Sequence, residues 1–337
     1  MADVAREAGV SVGTVSRALR GLPGVSDETR QRIQALAASL AYVVSPEASR
    51  LSRGSTGRVA IVLPTLDSWF FSTMLAGTQA VLQDAGLDVL IYQVDGPEAR
   101  ARFFEQLPAR RKADAIIAMT LPLSQEQTAR LADLGMAVVL TGARIGDYPS
   151  VRIDDVEVAL QAVRHLLALG HARIAMVRST DPAVDTSFAG IDRTDGYHRA
   201  LAEAGLESRP EYLLTVPHSI AGGIEAAEQL LSLPEPPTAV FAYSDELALA
   251  IVQTLRRARL RVPEDLSVIG VDGHPLAALH DLTSVEQPVA EQGRLAGRLV
   301  LSALGLLDEP EAAAGGVHLP TRLRVRGTTG PPPAGQQ

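Results

Sequence analysis

The 337-residue chain contains no cysteine, and that one absence excludes disulfide scaffolds, thiolate metal centres and cysteine nucleophiles. Aromatic residues make up only 4% of it, with a single tryptophan, Trp69. No stretch approaches the roughly 18 to 20 apolar residues that a membrane span requires. The N-terminus is charged at Asp3, Arg6 and Glu7 before any apolar run, which is unlike an export signal. A soluble, cytoplasmic protein with no membrane partner is expected. Catalytic signatures are equally sparse: there is no G-x-G-x-x-G after a strand pattern, no P-loop and no G-x-S-x-G elbow. The seven histidines lack metal-ligand spacing, with His165 and His171, like His274 and His280, standing six apart. No metal, no cofactor and no enzyme activity are expected.

What is present is a large apolar fraction, 46%, enough for two or three cores in a chain of this length. The net charge of −8 conceals a split: residues 1–53 carry seven arginines against five acids, a balance of +2, which leaves −10 on the remainder. A small basic module on a large acidic body confines phosphate attraction to one end.

That basic end has a distinct pattern. Residues 3–9 fit a short helix with Val4, Ala5 and Ala8 inward, closed by Gly9. Ser11 caps a second helix with Val15, Ala18 and Leu19 inward. Ser26, followed by Asp27 and Glu28 at the positive end of the dipole, starts a third carrying Ile33, Leu36, Ala37 and Leu40. Two short, closely joined helices, the second bearing hydroxyls and arginines outward, suit a DNA major groove better than a catalytic pocket. Ser45-Pro46 then opens a helix of about two turns, too short to persist alone in water, before the flexible Gly54-Ser55-Thr56-Gly57.

From Val59 onward, apolar runs of strand length alternate with amphipathic helices. Strands are expected at Val59–Leu63, Asp88–Tyr92, Ala115–Met119, Ala137–Leu140, Ile174–Val177, Ala239–Ala242 and Ser267–Val271. Helices are expected at Phe71–Asp84, Val156–Leu169 and Asp245–Arg257. The alternation predicts doubly wound parallel sheets, and the length is enough for two.

Asp3-Val4-Ala5, Ala8-Gly9-Val10-Ser11, Thr14-Val15-Ser16-Arg17, Val25-Ser26, Thr29-Arg30 and Tyr42 strongly resemble the head of the lactose-repressor and galactose-repressor (LacI/GalR) transcription regulators. Ala48-Ser49-Arg50-Leu51 resembles that family's hinge helix, Phe70-Phe71 its first effector-lobe motif, and Leu169-Gly170-His171 with Ile174 its mid-chain signature. Arg193 with Gly196-Tyr197, Ser244-Asp245, Gly270-Val271-Asp272, Gln287-Pro288 and Arg326-Gly327 follow in family order, so the resemblance covers about residues 2–329. Departures are Arg20 for a common Asn, Ser68-Trp69 for Asn-Pro, and Val158 for a frequent Gly. The family also carries several residues, including a capping threonine, before Asp3, which leaves a native start upstream of Met1 open. Trp69 points to an effector pocket different from that of well-known sugar repressors.

The resemblance implies an all-α helix-turn-helix headpiece plus an α/β body of two doubly wound parallel-sheet lobes of periplasmic-binding-protein type. Its boundaries are 1–44 for the DNA-binding domain, 45–57 for hinge helix and linker, and 58–329 for the effector-binding and dimerisation domain. Within the last, the N-lobe spans about 58–156 and 287–317 and the C-lobe about 157–286 and 318–329. Residues 330–337, rich in Pro and Gly, are expected to be a disordered tail.

By the same resemblance, Ser11, Val12, Gly13, Thr14, Ser16, Arg17 and Arg20 face DNA. Val12 and Gly13 occupy the pair that varies between repressors, and Arg17 carries most direct readout. Phosphate contact or a surface ion pair is the alternative for Arg17, and Arg30 and Arg32 fit phosphate contact or a solvated face. Ser49, Arg50 and Leu51 form the hinge readout, with Leu51 either a minor-groove wedge or ordinary packing. Arg193 and Asp272 are the leading effector contacts, followed by Asp67, Trp69, Phe71, Asp154, Phe188, Ser244, Asp245 and Gln287. Trp69 suits stacking on a sugar ring or core packing, and Asp245 is equally a helix cap. Two acids and one arginine favour a neutral polyhydroxy effector over a phosphate, and a nucleobase stays open, because relatives in the family bind one. The implied partners are palindromic double-stranded operator DNA, a sugar-like small molecule and a second copy of the chain as a homodimer. A transport solute-binding protein would share the body but not the head.

Overall fold

The computed structural model describes residues 1–19, 21–40, 55–121, 123–133, 135–180, 188–307 and 316–334. The chain divides into two compact units, Met1–Gly57 and Arg58–Gln337.

The first unit holds α1 (Ala2–Ala8), α2 (Val12–Leu19) and α3 (Asp27–Ser39). Gly9 closes α1 with φ 64°, a conformation that a residue with a Cβ adopts only at a cost. Ser26 caps α3, accepting from the Thr29 amide at 3.4 Å. The core is Val4, Ala5, Ala8, Val15, Ala18, Ile33 and Ala37, mostly small side chains that bury little area. Two arginines reinforce it. Arg30 donates to the carbonyls of Ala18 at 3.2 Å and Leu22 at 3.0 Å, and Arg32 donates to the Ala8 carbonyl at 3.2 Å. Arg32 thus reaches the last carbonyl of α1, while Arg30 adds a second donor to the Ala18 carbonyl, which already accepts from the Gly21 amide, and holds the turn that follows α2 at Leu22. The sequence alternatives for these arginines, phosphate contact or solvated face, did not include this role.

Among its described residues the second unit contains two six-stranded sheets. The first comprises β1 (Arg58–Leu63), β2 (Asp88–Gln93), β3 (Ala115–Met119), β4 (Ala137–Thr141), β5 (Ser150–Arg152) and β11 (Val317–His318), in the order β11-β5-β4-β3-β1-β2. The second comprises β6 (Ile174–Thr180), β7 (Leu213–Pro217), β8 (Ala239–Ala242), β9 (Ser267–Asp272), β10 (Thr283–Glu286) and β12 (Arg322–Arg324), in the order β12-β10-β9-β8-β6-β7. Every pairing is parallel except β10 with β12. The central strands β1, β3, β8 and β9 are almost wholly buried, as continuous apolar runs covered on both faces should be. The chain passes between the sheets after β5, after β10 and after β11.

The helices Trp69–Asp84 and Val289–Ala303 pack along one face of the first sheet with backbones in near contact. A Cβ on Gly77 would strike the Ala290 carbonyl, and one on Gly293 would strike that of Met74. Thr78 Oγ1 bridges the pair by donating to the Gly293 carbonyl at 3.0 Å. The seven expected strands all form, six within one residue of their expected ends and β6 three residues longer. Unforeseen were β5, β7, β10, β11 and β12, short or of mixed polarity, with β7 alternating buried and exposed.

The expected disorder from Gly330 does not hold for its first residues. Gly330 donates to Ser267 Oγ at 3.1 Å and its carbonyl lies 2.8 Å from His171 Nε2. Pro332 is buried. A glycine and proline tract is ordered here because its backbone polar groups have buried partners waiting for them. Residues 335–337 lie outside the described residues. Among the described residues no helix is long and apolar enough to cross a membrane.

Candidate functional site

In the first unit, α2 turns Val15 and Ala18 into the core, which leaves Ser11, Val12, Gly13 and Arg17 exposed and Thr14 and Ser16 half-buried. Ser11 Oγ accepts from the Thr14 amide at 3.1 Å and lies 2.9 Å from Thr14 Oγ1, so these hydroxyls fix the start of the helix. No acidic side chain stands in the first turn of α2 and Arg17 stands in its last, so the helix carries no negative charge that would repel a phosphate. Arg20, Ser49, Arg50 and Leu51 lie outside the described residues.

In the second unit a cleft of about 560 Å³ opens where the C-terminal ends of the two sheets face one another, within the range of small-molecule sites. Thr65 follows β1, Thr120 follows β3, Arg178 lies two residues before the end of β6, His218 follows β7, Ser244 follows β8 and Asp272 ends β9, and all line it. In each sheet the order reverses about one strand, β1 with β2 and β3 on either side and β6 with β7 and β8. Such a reversal leaves a crevice beyond the strand ends. Thr120 and Asp272 hold positive φ, 49° and 119°. Strain of that kind at a non-glycine residue is retained where the surroundings dictate it, characteristically at binding sites.

The cleft floor is a polar network. Arg193, on the helix Phe188–Glu203, donates through Nε to Asp155 Oδ1 at 2.8 Å and through Nη1 to the Tyr243 carbonyl, with its guanidinium 4.5 Å over the Tyr243 ring. Burial alone would lower its pKa, but Asp155, helped by Tyr243 and Asp272, outweighs burial and raises it. Asp272 accepts from Gln287 Nε2 at 2.7 Å, and Gln287 Oε1 accepts from Gln292 Nε2 at 2.8 Å. Burial drives the Asp272 carboxyl well above its ordinary range, only partly opposed by Arg193. A carboxyl held toward its neutral form both donates and accepts, which matches a hydroxyl-bearing ligand. His218 Nε2 lies 2.8 Å from Ser244 Oγ, and Ser244 Oγ also accepts from the Leu247 amide at 3.3 Å.

Residues 1–45 match the family model for bacterial regulatory proteins of the lacI family, and residues 163–329 match that for a periplasmic binding protein-like domain. The HTH-type transcriptional repressor CytR of Escherichia coli (strain K12) is 32% identical, with 98% of this chain and 96% of that one covered. A transcriptional regulator CelR–cellobiose complex is 29% identical with a TM-score of 0.71, covering 96% of this chain and 98% of that one. The lac repressor dimer bound to operator and the anti-inducer ONPF is 25% identical with a TM-score of 0.83, covering 97% and 98%.

The chain belongs to the lacI family. It is a DNA-binding transcriptional regulator. Of the effector candidates in this LacI-family regulator, Arg193, Asp272, Phe71, Ser244 and Gln287 come together in the cleft. The others go elsewhere. Asp67 is exposed and does not line it. Asp154 caps the helix Asp155–Ala168, accepting from the Glu157 amide at 3.0 Å. Asp245 is fully buried behind the cleft, accepting at Oδ2 from the His274 amide at 2.8 Å and Ser284 Oγ at 3.0 Å. Burial raises its pKa to about 7. It does not cap its own helix, a role held by Ser244. Trp69 packs its ring on His274, centroids 4.9 Å apart, while its amide donates to Glu246 Oε1 at 3.2 Å. It thus ties the two sheets' halves together at the cleft edge rather than lining the cleft. The Phe188 side chain lies outside the described residues.

Sequence reasoning missed Asp155, Arg178, Thr215, His218 and Gln292, all lining residues. For Asp155 the signal stood one position from the chosen Asp154: the outward cap is Asp154, and the next side chain turns inward. Arg178 and Thr215 carry no such signal: the expected strand ended at Val177, and the strand that holds Thr215 was not foreseen. The second arginine also removes the count of two acids and one arginine on which a neutral effector was expected.

Proposed function

We propose that this regulator is a repressor whose operator affinity is set by a small molecule, a sugar or related polyol, held between the two lobes of its body. The observation that carries the reading is the cleft at the facing strand ends, with Arg193, Asp272 and Gln287 presenting buried donors and acceptors into it. The relative solved with cellobiose supports a carbohydrate, and the lac repressor dimer supports a homodimer on palindromic operator DNA. The effector prefers one closure state of the lobes, and operator affinity shifts with it by linkage, by about 1–3 kcal/mol or 5- to 150-fold. The hinge, Ser49, Arg50 and Leu51, and Arg20 join Ser11, Val12, Gly13, Thr14, Ser16 and Arg17 in contacting DNA. A regulator of this kind acts in the cytoplasm and performs no catalysis.

Two measurements test it. Sequencing DNA bound by the purified protein yields a palindromic site, and Arg17→Ala loses discrimination at the bases it reads, costing about 1–3 kcal/mol per lost bidentate contact. Identical site selection by the variant removes Arg17 from readout. Screening polyols for thermal stabilisation and altered operator affinity identifies the effector, and Asp272→Ala or Arg193→Ala abolishes the response while operator binding persists. An unaltered response in both variants overturns the cleft as the effector site.

A further inference from the structure

We infer that the effector carries an acid group, a carboxylate or a phosphate ester on its polyhydroxylated frame, and that Arg178 is the residue that selects for it. The inference rests on the cleft being the effector site, and it adds a charge and a reader to that reading.

Arg178 sits near the C-terminal end of β6, directly paired with Thr215 of β7. Its Nη2 donates to Thr215 Oγ1 at 2.9 Å, while its Nε is buried with no hydrogen-bond partner. No carboxylate among the described residues stands within ion-pair distance of it. Arg193 differs in that its Nε donates to the Asp155 carboxylate and its Nη1 to a carbonyl, so its charge is already matched within the protein.

The carboxylates that line the cleft do not serve Arg178. Asp155 is committed to Arg193. Asp272 is bonded by Gln287 and pushed toward its neutral form by burial. Asp95 and Asp195 are exposed. Among the described residues, Arg178 is therefore the arginine of the cleft lining that no carboxylate answers and whose Nε–H is buried without an acceptor. His218, on the turn after β7, does not add to this charge, since its Nε2 faces Ser244 Oγ at 2.8 Å and Glu246 Oε2 at 3.9 Å.

A buried Nε–H without an acceptor is costly, and a hydroxyl would satisfy that hydrogen bond without matching the charge. Two oxygens of a carboxylate or phosphate fit the guanidinium fork and do both. Nothing in the sequence pattern marks Arg178, since an arginine in a strand reads as an outward side chain. Only the pairing of β6 with β7 and the facing of the two sheets put it in the cleft.

The test uses the full-length protein and isothermal calorimetry with three probes of one frame: glucose, glucuronate and glucose 6-phosphate. At least one acid is expected to bind tenfold or more tighter than glucose, and which acid does so separates carboxylate from phosphate. Arg178→Gln is expected to bring that acid to within about threefold of glucose. Arg178→Lys, which keeps the charge but not the fork, is expected to retain an intermediate preference, provided both variants melt near the parent temperature. Glucose binding as tightly as the acids, neither acid binding at millimolar concentration, or an undiminished preference in Arg178→Gln overturns the proposal. The cleft reading fails separately: it stands if glucose binds and Asp272→Ala abolishes that binding, even with no preference for acids.

Discussion

Asp155→Ala should be among the most destabilising single changes in the body of this regulator, although Asp155 lies in the first turn of a helix, where an aspartate reads as an ordinary surface residue. The side chains of Arg193 and Asp155 are only 5% and 8% exposed. Removing the carboxylate leaves a buried guanidinium with the Tyr243 carbonyl and ring as its remaining matched partners. Breaking a buried pair from one side costs about 3–5 kcal/mol. At roughly 2 °C per kcal/mol for a unit of this length, the melting temperature falls by about 6–10 °C. Asp155→Asn keeps an acceptor oxygen and loses the charge, so about 1–3 kcal/mol is expected. The decisive comparison is the double change Asp155→Ala with Arg193→Met, which removes both charges and restores apolar volume. Stability should return most of the way, because the penalty comes from the orphaned charge and not from the lost attraction. Differential scanning calorimetry measures all three. An Asp155→Ala melting temperature within 1 °C of the parent, or a double variant no more stable than Asp155→Ala alone, refutes the reasoning.

Asp245 makes a pH-dependent prediction. Burial raises its folded pKa to about 7 from an ordinary 3.8, so the folded state holds the proton more tightly than the unfolded chain does. The resulting cost is absent below about pH 4, grows as pH rises and is complete above about pH 7. Asp245→Asn should gain stability relative to the parent across that window when denaturant midpoints are compared at matched pH, and a constant difference would refute it. The comparison must be relative because His165 and His171, whose pKa values burial lowers, pull the parent the other way. Truncation after Thr329 should cost about 1–3 kcal/mol, since His171 Nε2 and Ser267 Oγ lose Gly330; an unchanged urea midpoint would show the contact to be idle. Trp69 is the only tryptophan and sits 4.9 Å from His274 across the two halves of the body. Its fluorescence should therefore change when the effector alters lobe closure, and an emission indifferent to a bound effector would count against Trp69 as a cross-lobe tie.

The periodicity of the chain was enough to place the three head helices, seven strands and the alternation of a doubly wound body. Those features follow from local rules, a side-chain period of 3.6 or 2 and the caps at helix ends. Arg193, Asp272, Phe71, Ser244 and Gln287 were legible as cleft residues only through family motifs, because their meeting joins segments far apart in the chain. Tertiary structure alone decided that Arg193 is answered by Asp155, that Trp69 closes on His274, that Arg30 and Arg32 bind helix ends, and that Gly330 is anchored by His171. Partners of buried polar groups depend on which strand ends face each other across the cleft. A sequence states which donors and acceptors exist; the fold alone determines which of them lose water and must find one another.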